Sequence, residues 1–327
     1  MYKILITGGS GFIGTNLLES LIRKNEYRVL SIDIEKPKNK GHEQYWEKID
    51  ITNKQKINAL IFQFNPDYVI HLAARTDLRG DSIDAYGANT VGVKNLLDTL
   101  DGCPNLKRVI FASSMYVCQP GYLPTSPDDY HPHTAYGESK VMTETIIKEK
   151  NPQNYGWCII RPTSIWGPWF GEPYADFFHI IMGRKYFHMG KRACTKTYGY
   201  IENFVYQIES LLKVPKEQIH QKVFYLGDWP AYNISDWADE IAEYTHIRIP
   251  HLPFFLFRLL AWGGDFLKIL GIKFPMTSFR LKNMVTDNIH DLSPIQKLAP
   301  DLPVTRKEGV RRTVAWINSQ RKRNAAD

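Results

Sequence analysis

The beginning of the chain constrains its fold most. Ile4-Leu5-Ile6-Thr7 is an apolar run suited to a buried parallel strand. It meets the cluster Gly8-Gly9-Ser10-Gly11-Phe12-Ile13-Gly14, and an apolar-periodic segment follows, with Leu17, Leu18, Leu21 and Ile22. The order is strand, tight turn, helix. Gly8 is free to take a positive φ, Gly11 has no side chain to hold a pyrophosphate off the backbone, and Gly14 lets the helix pack close to the strand. The free amides where the helix opens, at Phe12 and Ile13, attract phosphate. The next apolar run, 27–32, ends in Asp33, nineteen residues after Gly14. An acid there suits the ribose hydroxyls of NAD and repels the extra phosphate of NADP. Lys36 nearby keeps NADP open. The competing reading is a glycine turn that binds nothing.

The first half goes on alternating the two periodicities. Strand patterns near Asp50-Ile51 and at 68–72, 108–111 and 157–160 are separated by helical patterns at 53–64, 82–100 and 134–150. Such alternation predicts an α/β fold, a doubly wound parallel sheet of the Rossmann type. Ligands of such sheets sit at the carboxyl ends of the strands, where Gly8, Asp33, Asp50, Ala73 and Ser113-Ser114 all fall. From Arg161 onward prolines and aromatics become frequent, among them Pro162, Trp166, Pro168 and Trp169. Helices are expected at 200–212, 234–244 and 308–318, with one strand at 223–226. We expect a cofactor domain over 1–165 and a smaller substrate lobe over 166–327, with segments of the lobe returning to the main sheet.

With 327 residues the chain has room for a sizeable core. Cys103, Cys118, Cys158 and Cys194 show neither metal-ligand spacing nor a paired pattern, which suits reduced thiols in the cytoplasm. Met1-Tyr2-Lys3 runs straight into the first strand, so no signal peptide is expected. Much of the formal charge of +7 gathers near the end, in Arg306, Lys307, Arg311, Arg312, Arg321, Lys322 and Arg323. That suits a solvated helix face; an anionic substrate or an acidic membrane surface is the sharper alternative. Nothing else points to nucleic acid. The stretch 252–272 is the most apolar, but Arg258, Asp265, Lys268 and Gly263-Gly264 interrupt it, so it does not span a bilayer. A buried or lid helix is expected there; peripheral membrane contact through Phe254, Phe255, Phe257 and Trp262 is the alternative.

Chemistry enters with Tyr136-Gly137-Glu138-Ser139-Lys140, the one Tyr-x-x-x-Lys in the chain. A spacing of four puts both side chains on one helix face. A free tyrosine ionises near pH ~10. A close ammonium together with an oxidised nicotinamide lowers that value, so the phenol can exchange a proton with a substrate hydroxyl or ketone. Ser114 ends the preceding strand and can hold the same oxygen. Against this stands an ordinary surface pair. His71 ends a strand and reads as structural; His131 and His133 flank Pro132 before Tyr136 and read as loop residues or as the mouth of a substrate site, not as a metal site.

These residues together resemble an extended short-chain dehydrogenase/reductase of the NAD-dependent epimerase/dehydratase group. The matching pieces are Thr7 to Gly14, Asp33, Asp50-Ile51, His71-Leu72-Ala73-Ala74, Asn89, Ser113-Ser114, Tyr136 with Lys140, Arg161-Pro162 and Gly167-Pro168, with Glu308-Gly309 and Trp316 near the end. The resemblance implies NAD as cofactor, with Asp50 and Ile51 flanking the adenine, Ala73 and Ala74 along its middle, Pro162 at the nicotinamide, and Leu72, Asn89 and Ser113 as further cofactor contacts. Tyr136 would be the acid/base, Lys140 its tuner and a ligand of the ribose, and Ser114 the oxygen's anchor. Met115 and Tyr116 stand after Ser114 where the family's dehydratases and decarboxylases carry an acid, which argues against dehydration. Ser164 and Trp166 replace an Asn and a Tyr common in its epimerases, and Lys196 stands where they offer an Arg to a diphosphate. Tyr200-Ile201-Glu202-Asn203, 161–168 and the aromatic stretch near 255 look more like the branch with 3β-hydroxysteroid dehydrogenases.

The expected activity is hydride transfer at a secondary alcohol or ketone of a nucleotide-activated sugar, as an epimerase or a keto-sugar reductase. Thr76, Ser164, Lys191, Arg192 and Lys196 are the candidate substrate contacts. The alternatives are an apolar alcohol, steroid-like or lipid-linked, and a cofactor-binding regulator without turnover. The resemblance also implies a homodimer built on 82–100 and 134–150.

Overall fold

The computed structural model describes residues 1–172, 174–190, 194–272, 274 and 276–324. The strands are β1 (Tyr2–Thr7), β2 (Tyr27–Asp33), β3 (Trp46–Lys48), β4 (Tyr68–His71), β5 (Arg108–Ala112), β6 (Gly156–Pro162), β7 (Ser164–Trp166), β8 (His188–Met189), β9 (Thr195–Lys196), β10 (Tyr198–Tyr200), β11 (Lys222–Leu226), β12 (Tyr232–Asn233) and β13 (His251–Leu252). The helices are α1 (Phe12–Lys24), α2 (Lys54–Phe64), α3 (Gly87–Leu100), α4 (Ala135–Lys150), α5 (Tyr174–Met182), α6 (Ile201–Lys213), α7 (Lys216–Ile219), α8 (Ile234–Thr245), α9 (Phe254–Ile269), α10 (Ser278–Val285), α11 (Ser293–Leu298) and α12 (Arg306–Asn324).

Seven strands form the main sheet in the order β11-β6-β5-β4-β1-β2-β3, every neighbouring pair parallel. Because side chains alternate across a strand, an unbroken apolar run serves a sheet covered on both faces. Ile4 and Ile6 of β1 enter one core with Leu17, Leu18 and Leu21 of α1 and Phe204 and Ile208 of α6. Leu5 enters the other with Ile57 and Ile61 of α2, Leu96 of α3 and Ile147 of α4. Short polar caps mark the crossovers. Asn53 and Thr134 cap α2 and α4 by accepting from the amides of Lys56 (3.1 Å) and Gly137 (3.0 Å). Asn25, Asn65 and Asn151 end α1, α2 and α4 in the left-handed conformation. Two boundaries differ from the sequence reading. The third strand stops at Lys48, leaving Asp50 in a turn, and the expected helix at 82–100 begins with a separate 3-10 turn, Ile83–Tyr86, before α3.

The second half adds three two-stranded ribbons, β10 with β7, β12 with β9 and β13 with β8. β11 returns to the main sheet and pairs with β6 from Lys222 opposite Cys158 to Leu226 opposite Pro162. The core on the α1/α6 face continues into this half without a break, through Trp166, Phe178, Tyr200 and Trp237. Trp166 is the hub: its ring centre lies 4.9 Å from Tyr200 and 5.1 Å from Trp237. The cationic face of α12 is largely matched by acids, Arg306 with Glu240, Lys307 with Glu243, Arg311 with Glu308 and Arg312 with Glu202, as the solvated-face reading expects. Among the described residues no helix is long and apolar enough to cross a membrane.

Candidate active site

Strand order reverses between β1 and β4, which opens a crevice at their carboxyl ends. Thr7 and His71 close its floor. Ala73 N donates to Thr7 Oγ1 (3.2 Å), whose hydroxyl meets His71 Nδ1 at 2.7 Å. Burial pushes the His71 imidazole down to about 3, with the Lys140 ammonium adding to the effect, so the ring is neutral near pH 7.

Above this floor lies the glycine turn. Gly8 has φ +78°, and a Cβ on it would stand 2.5 Å from Ala73 N. A Cβ on Gly14 would meet Gly8 O at 2.3 Å, whereas one on Gly11 would meet only Gly8 O, at 3.3 Å. Gly8 and Gly14 are therefore demanded by close backbone approach, while Gly11 faces open space. Gly11 stands at the N-cap of α1, which has no side-chain cap and no acid in its first turn. The Phe12 and Ile13 amides thus lack an intrahelical acceptor. Asp33 Oδ2 accepts from Ser10 N (3.0 Å) and Oδ1 from Glu35 N (3.1 Å), so the acid is locked onto the same turn. A cradle without side chains, a bare helix start and a fixed acid fit a dinucleotide: pyrophosphate at Gly11 to Ile13, ribose at Asp33.

Farther along, Asp50 accepts from Thr52 N and Oγ1, both at 2.8 Å, at the exposed rim. Ile51 is turned into the core and packs on Gly92 of α3, where a Cβ would meet its Cδ1 at 2.5 Å. Leu72, Ala73 and Ala74 are half-buried along the crevice, and Thr76 is exposed beyond them. Asn89 is fully engaged. Its Oδ1 accepts from Arg75 N (2.8 Å), and its Nδ2 donates to Arg75 O (3.0 Å) and Ser139 Oγ (2.9 Å). It clamps the loop after β4 onto α3 and α4.

Ser114, Tyr136 and Lys140 converge at the other wall. Ser114 follows β5 and caps a 3-10 turn, accepting from Tyr116 N (3.2 Å), and it is hydrogen-bonded to the Tyr136 side chain. Tyr136 and Lys140 lie one turn apart on the buried face of α4. Burial raises the phenol to about 12, the Ser114 hydrogen bond opposing it. Burial lowers the Lys140 ammonium to about 8, with Glu144 opposing. Lys140 Nζ donates to Ala112 O (2.9 Å), and burial sets the direction of the phenol's shift; the lowering expected from the ammonium belongs to a site that also holds an oxidised nicotinamide. One turn on, Glu144 takes a two-pronged hydrogen bond from Arg161 of β6, Nε to Oε1 and Nη2 to Oε2, each 2.8 Å, with both side chains buried.

Sequence reasoning missed the ring of tyrosines here. Tyr86 and Tyr116 lie 6.0 and 5.9 Å from the Tyr136 ring, His133 stacks on Tyr116 at 5.7 Å, and half-buried Tyr174 is hydrogen-bonded with Ser164. Ser164 also approaches Met115 Sδ at 4.0 Å. Pro162 is half-buried at the end of β6. Lys196 Nζ donates to Asn283 O of α10 (2.7 Å), and burial lowers its pKa. Lys191 and Arg192 lie outside the described residues. His131 belongs to the neighbouring loop, its amide donating to Val117 O (2.9 Å). A cavity of ≈ 690 Å³ lined by Thr197, Asp228, His290 and Ser293 touches none of Ser114, Tyr136 or Lys140. Among the described residues no cluster of His, Cys, Asp and Glu could hold a metal.

A family model, NAD dependent epimerase/dehydratase family, matches residues 4–225. The chain belongs to that family. It is an NAD-dependent enzyme of the extended short-chain dehydrogenase/reductase type, in agreement with the resemblance read from its motifs. The N-acetyl-alpha-D-glucosaminyl-diphospho-ditrans,octacis-undecaprenol 4-epimerase of Escherichia coli O157:H7 is 29% identical over 325 residues, 96% of this chain and 95% of that one. Solved folds of the family superpose over nearly the whole length. The UDP-glucose 4-epimerase of Thermotoga maritima gives a TM-score of 0.74 at 21% identity, covering 97% of this chain and 99% of its own. The UDP-glucuronic acid 4-epimerase of Bacillus cereus, solved with NAD, gives 0.74 at 19%, covering 97% and 96%.

Proposed function

We propose that this enzyme holds NAD across the Gly8–Gly14 turn and transfers hydride at a secondary carbinol of a nucleotide-activated sugar, as a 4-epimerase. The observation that carries the reading is the meeting of Ser114 and Tyr136 beside Lys140 at the crevice where the glycine cradle opens. NAD supplies the hydride acceptor and donor when bound. Ser114 holds the sugar oxygen, Tyr136 removes its proton and returns it, and Lys140 balances the phenol's charge once a ligand draws it from Ala112 O. Asn89 keeps the loop after β4 in place against α4. Met115 and Tyr116 supply no carboxyl for dehydration. Similarity to a 4-epimerase over 96% of this chain supports epimerisation over net reduction.

The test is the cofactor's fate. Protein purified with NAD in place, mixed with UDP-glucose or UDP-N-acetylglucosamine, should yield the 4-epimer by chromatography with no net consumption of cofactor. Stoichiometric oxidation of added NADH would make it a reductase, and no turnover with any diphospho-sugar would overturn the reading.

A second reading places the same chemistry on a lipid-linked diphospho-sugar, as the E. coli relative's name states for that protein. The exposed apolar side of α9 favours it. On either reading residues 166–327 form the substrate lobe, the enzyme works in the cytoplasm, where its four buried cysteines stay reduced, and two chains pair through α3 and α4, which expose Val91 and Met142.

A further inference from the structure

α9 was expected to be a buried or lid helix, yet it is apolar on two opposite sides. Phe257, Ala261 and Gly264 face inward, the first two packing on Leu281 of α10. Phe255, Leu259, Trp262, Phe266 and Ile269 are spaced four, three, four and three apart, which makes a second stripe along the far side. That stripe is bare: Phe255 is 59% exposed, Trp262 58%, Phe266 62% and Ile269 82%. Leu270 and Ile272 beyond the helix end and Phe279 of α10 are exposed as well. Sixteen residues of helix run about 24 Å, so the bare strip is long, continuous and on one side of the molecule. Monomers seldom leave so much apolar surface in one patch without a partner.

The charges on α9, α10 and the segments joining them are mostly positive. Arg248, Arg258, Lys268, Arg280 and Lys282 are exposed, and Asp265 is the one acid between 248 and 285, with its Oδ1 accepting from Ser278 N at 3.1 Å. Arg258 lies 5.4 Å over the Trp262 ring and, with Lys282, rims a groove of ≈ 330 Å³ between α9 and α10. An apolar stripe with an aromatic at its centre and cations along its edges is the composition of a helix lying in a bilayer interface, its apolar side among the acyl chains and its cations at lipid phosphates. α10 and the segment that follows it run from this surface toward the catalytic crevice: Asn283 O of α10 holds Lys196, and Asn288, beyond the helix, has its Nδ2 3.9 Å from Met115 Sδ, next to Ser114.

We propose that the outer side of α9, with the α9–α10 groove, docks this enzyme onto an anionic lipid bilayer, with the crevice opening beside the membrane surface. The proposal rests on the lipid-linked reading for its purpose and is tested apart from it. Binding is measured by co-sedimentation with vesicles of phosphatidylcholine alone or mixed with phosphatidylglycerol, without substrate; NAD retention and turnover of soluble diphospho-sugar are measured without vesicles. The parent protein should sediment with the mixed vesicles, less with phosphatidylcholine alone, and less at high salt. Trp262→Glu with Phe266→Glu, both on the bare side and clear of the crevice, should weaken binding about tenfold or more while NAD retention is unchanged. Arg258→Gln with Lys282→Gln should remove the preference for phosphatidylglycerol. Equal sedimentation of parent and Trp262→Glu/Phe266→Glu proteins, or none of the parent, would overturn the proposal. So would a dimer in analytical ultracentrifugation that the same pair of changes dissociates, since a second copy would then cover the face. Vesicle binding without turnover of any sugar would leave the docking standing and remove the assigned chemistry.

Discussion

Gly8 and Ala73 touch backbone to backbone: a side chain on Gly8 would begin 2.5 Å from the Ala73 nitrogen, and Gly8 itself sits at φ +78°. β1 and β4 therefore come together at the switch point only if residue 8 has no Cβ. Gly8→Ala should cost on the order of 1–3 kcal/mol of stability from backbone strain alone and should strip bound NAD, both read by thermal melts with and without added cofactor. A variant that melts and binds like the parent would mean the turn is free to move.

Tyr136 is the group asked to move a proton. Tyr136→Phe should lower kcat by about 10²–10⁴-fold and leave NAD retention intact, since the ring still fills its place between Tyr86 and Tyr116. Ser114→Ala should lower kcat less and raise the phenol further, because the hydrogen bond that opposes burial is lost. The pH–rate profile of Ser114→Ala should shift toward higher pH on its alkaline-activated limb.

Glu144 and Arg161 form a buried charge pair beneath Lys140, each side chain at most 1% exposed. Removing one partner strands the other. Glu144→Ala should destabilise by about 3–5 kcal/mol, measured as a urea midpoint. Adding Arg161→Met should return part of that loss, because no unpaired charge then remains. An additive double variant would show that the pair is not coupled.

His71 gives the fold a one-sided response to acid. Its folded-state pKa is about 3, against roughly 6.5 unfolded. Between these values the unfolded chain binds more protons, so stability rises with pH there. The contribution is complete above about 6.5 and is lost as pH falls through about 3. Asp228 works the other way: burial raises its carboxyl to about 6, so its contribution is present at low pH and fades as pH climbs through 6. Comparing the parent with His71→Gln isolates the histidine. Denaturation midpoints at pH 7, 5 and 4 should fall more steeply for the parent, by up to about 1.4 kcal/mol per pH unit.

Features set by neighbouring residues were the legible ones. The glycine spacing, Asp33 and the four-residue step from Tyr136 to Lys140 follow from helix and strand periods, and all of them appear where those periods put them. What contact across the fold decides was hidden. Lys140 is drawn to Ala112 O, a strand away, and the burial that raises the Tyr136 phenol could not be read from the four-residue spacing. The sequence did not show that the Asn89 amide bonds Arg75 and Ser139. Lys196 looks like a free cation until α10 folds a carbonyl onto it. An apolar helix such as α9 does not say which of its sides is outward, because both are apolar.

β11 comes from deep in the second half, yet it completes the edge of the sheet that the first half begins. Truncating the chain after Trp166 would leave β6 with a row of bare amides and carbonyls, an invitation to clump with other chains. Swapping specificity between relatives by grafting the later half wholesale therefore means remaking that edge as well, whereas exchanging loops at the crevice leaves it untouched.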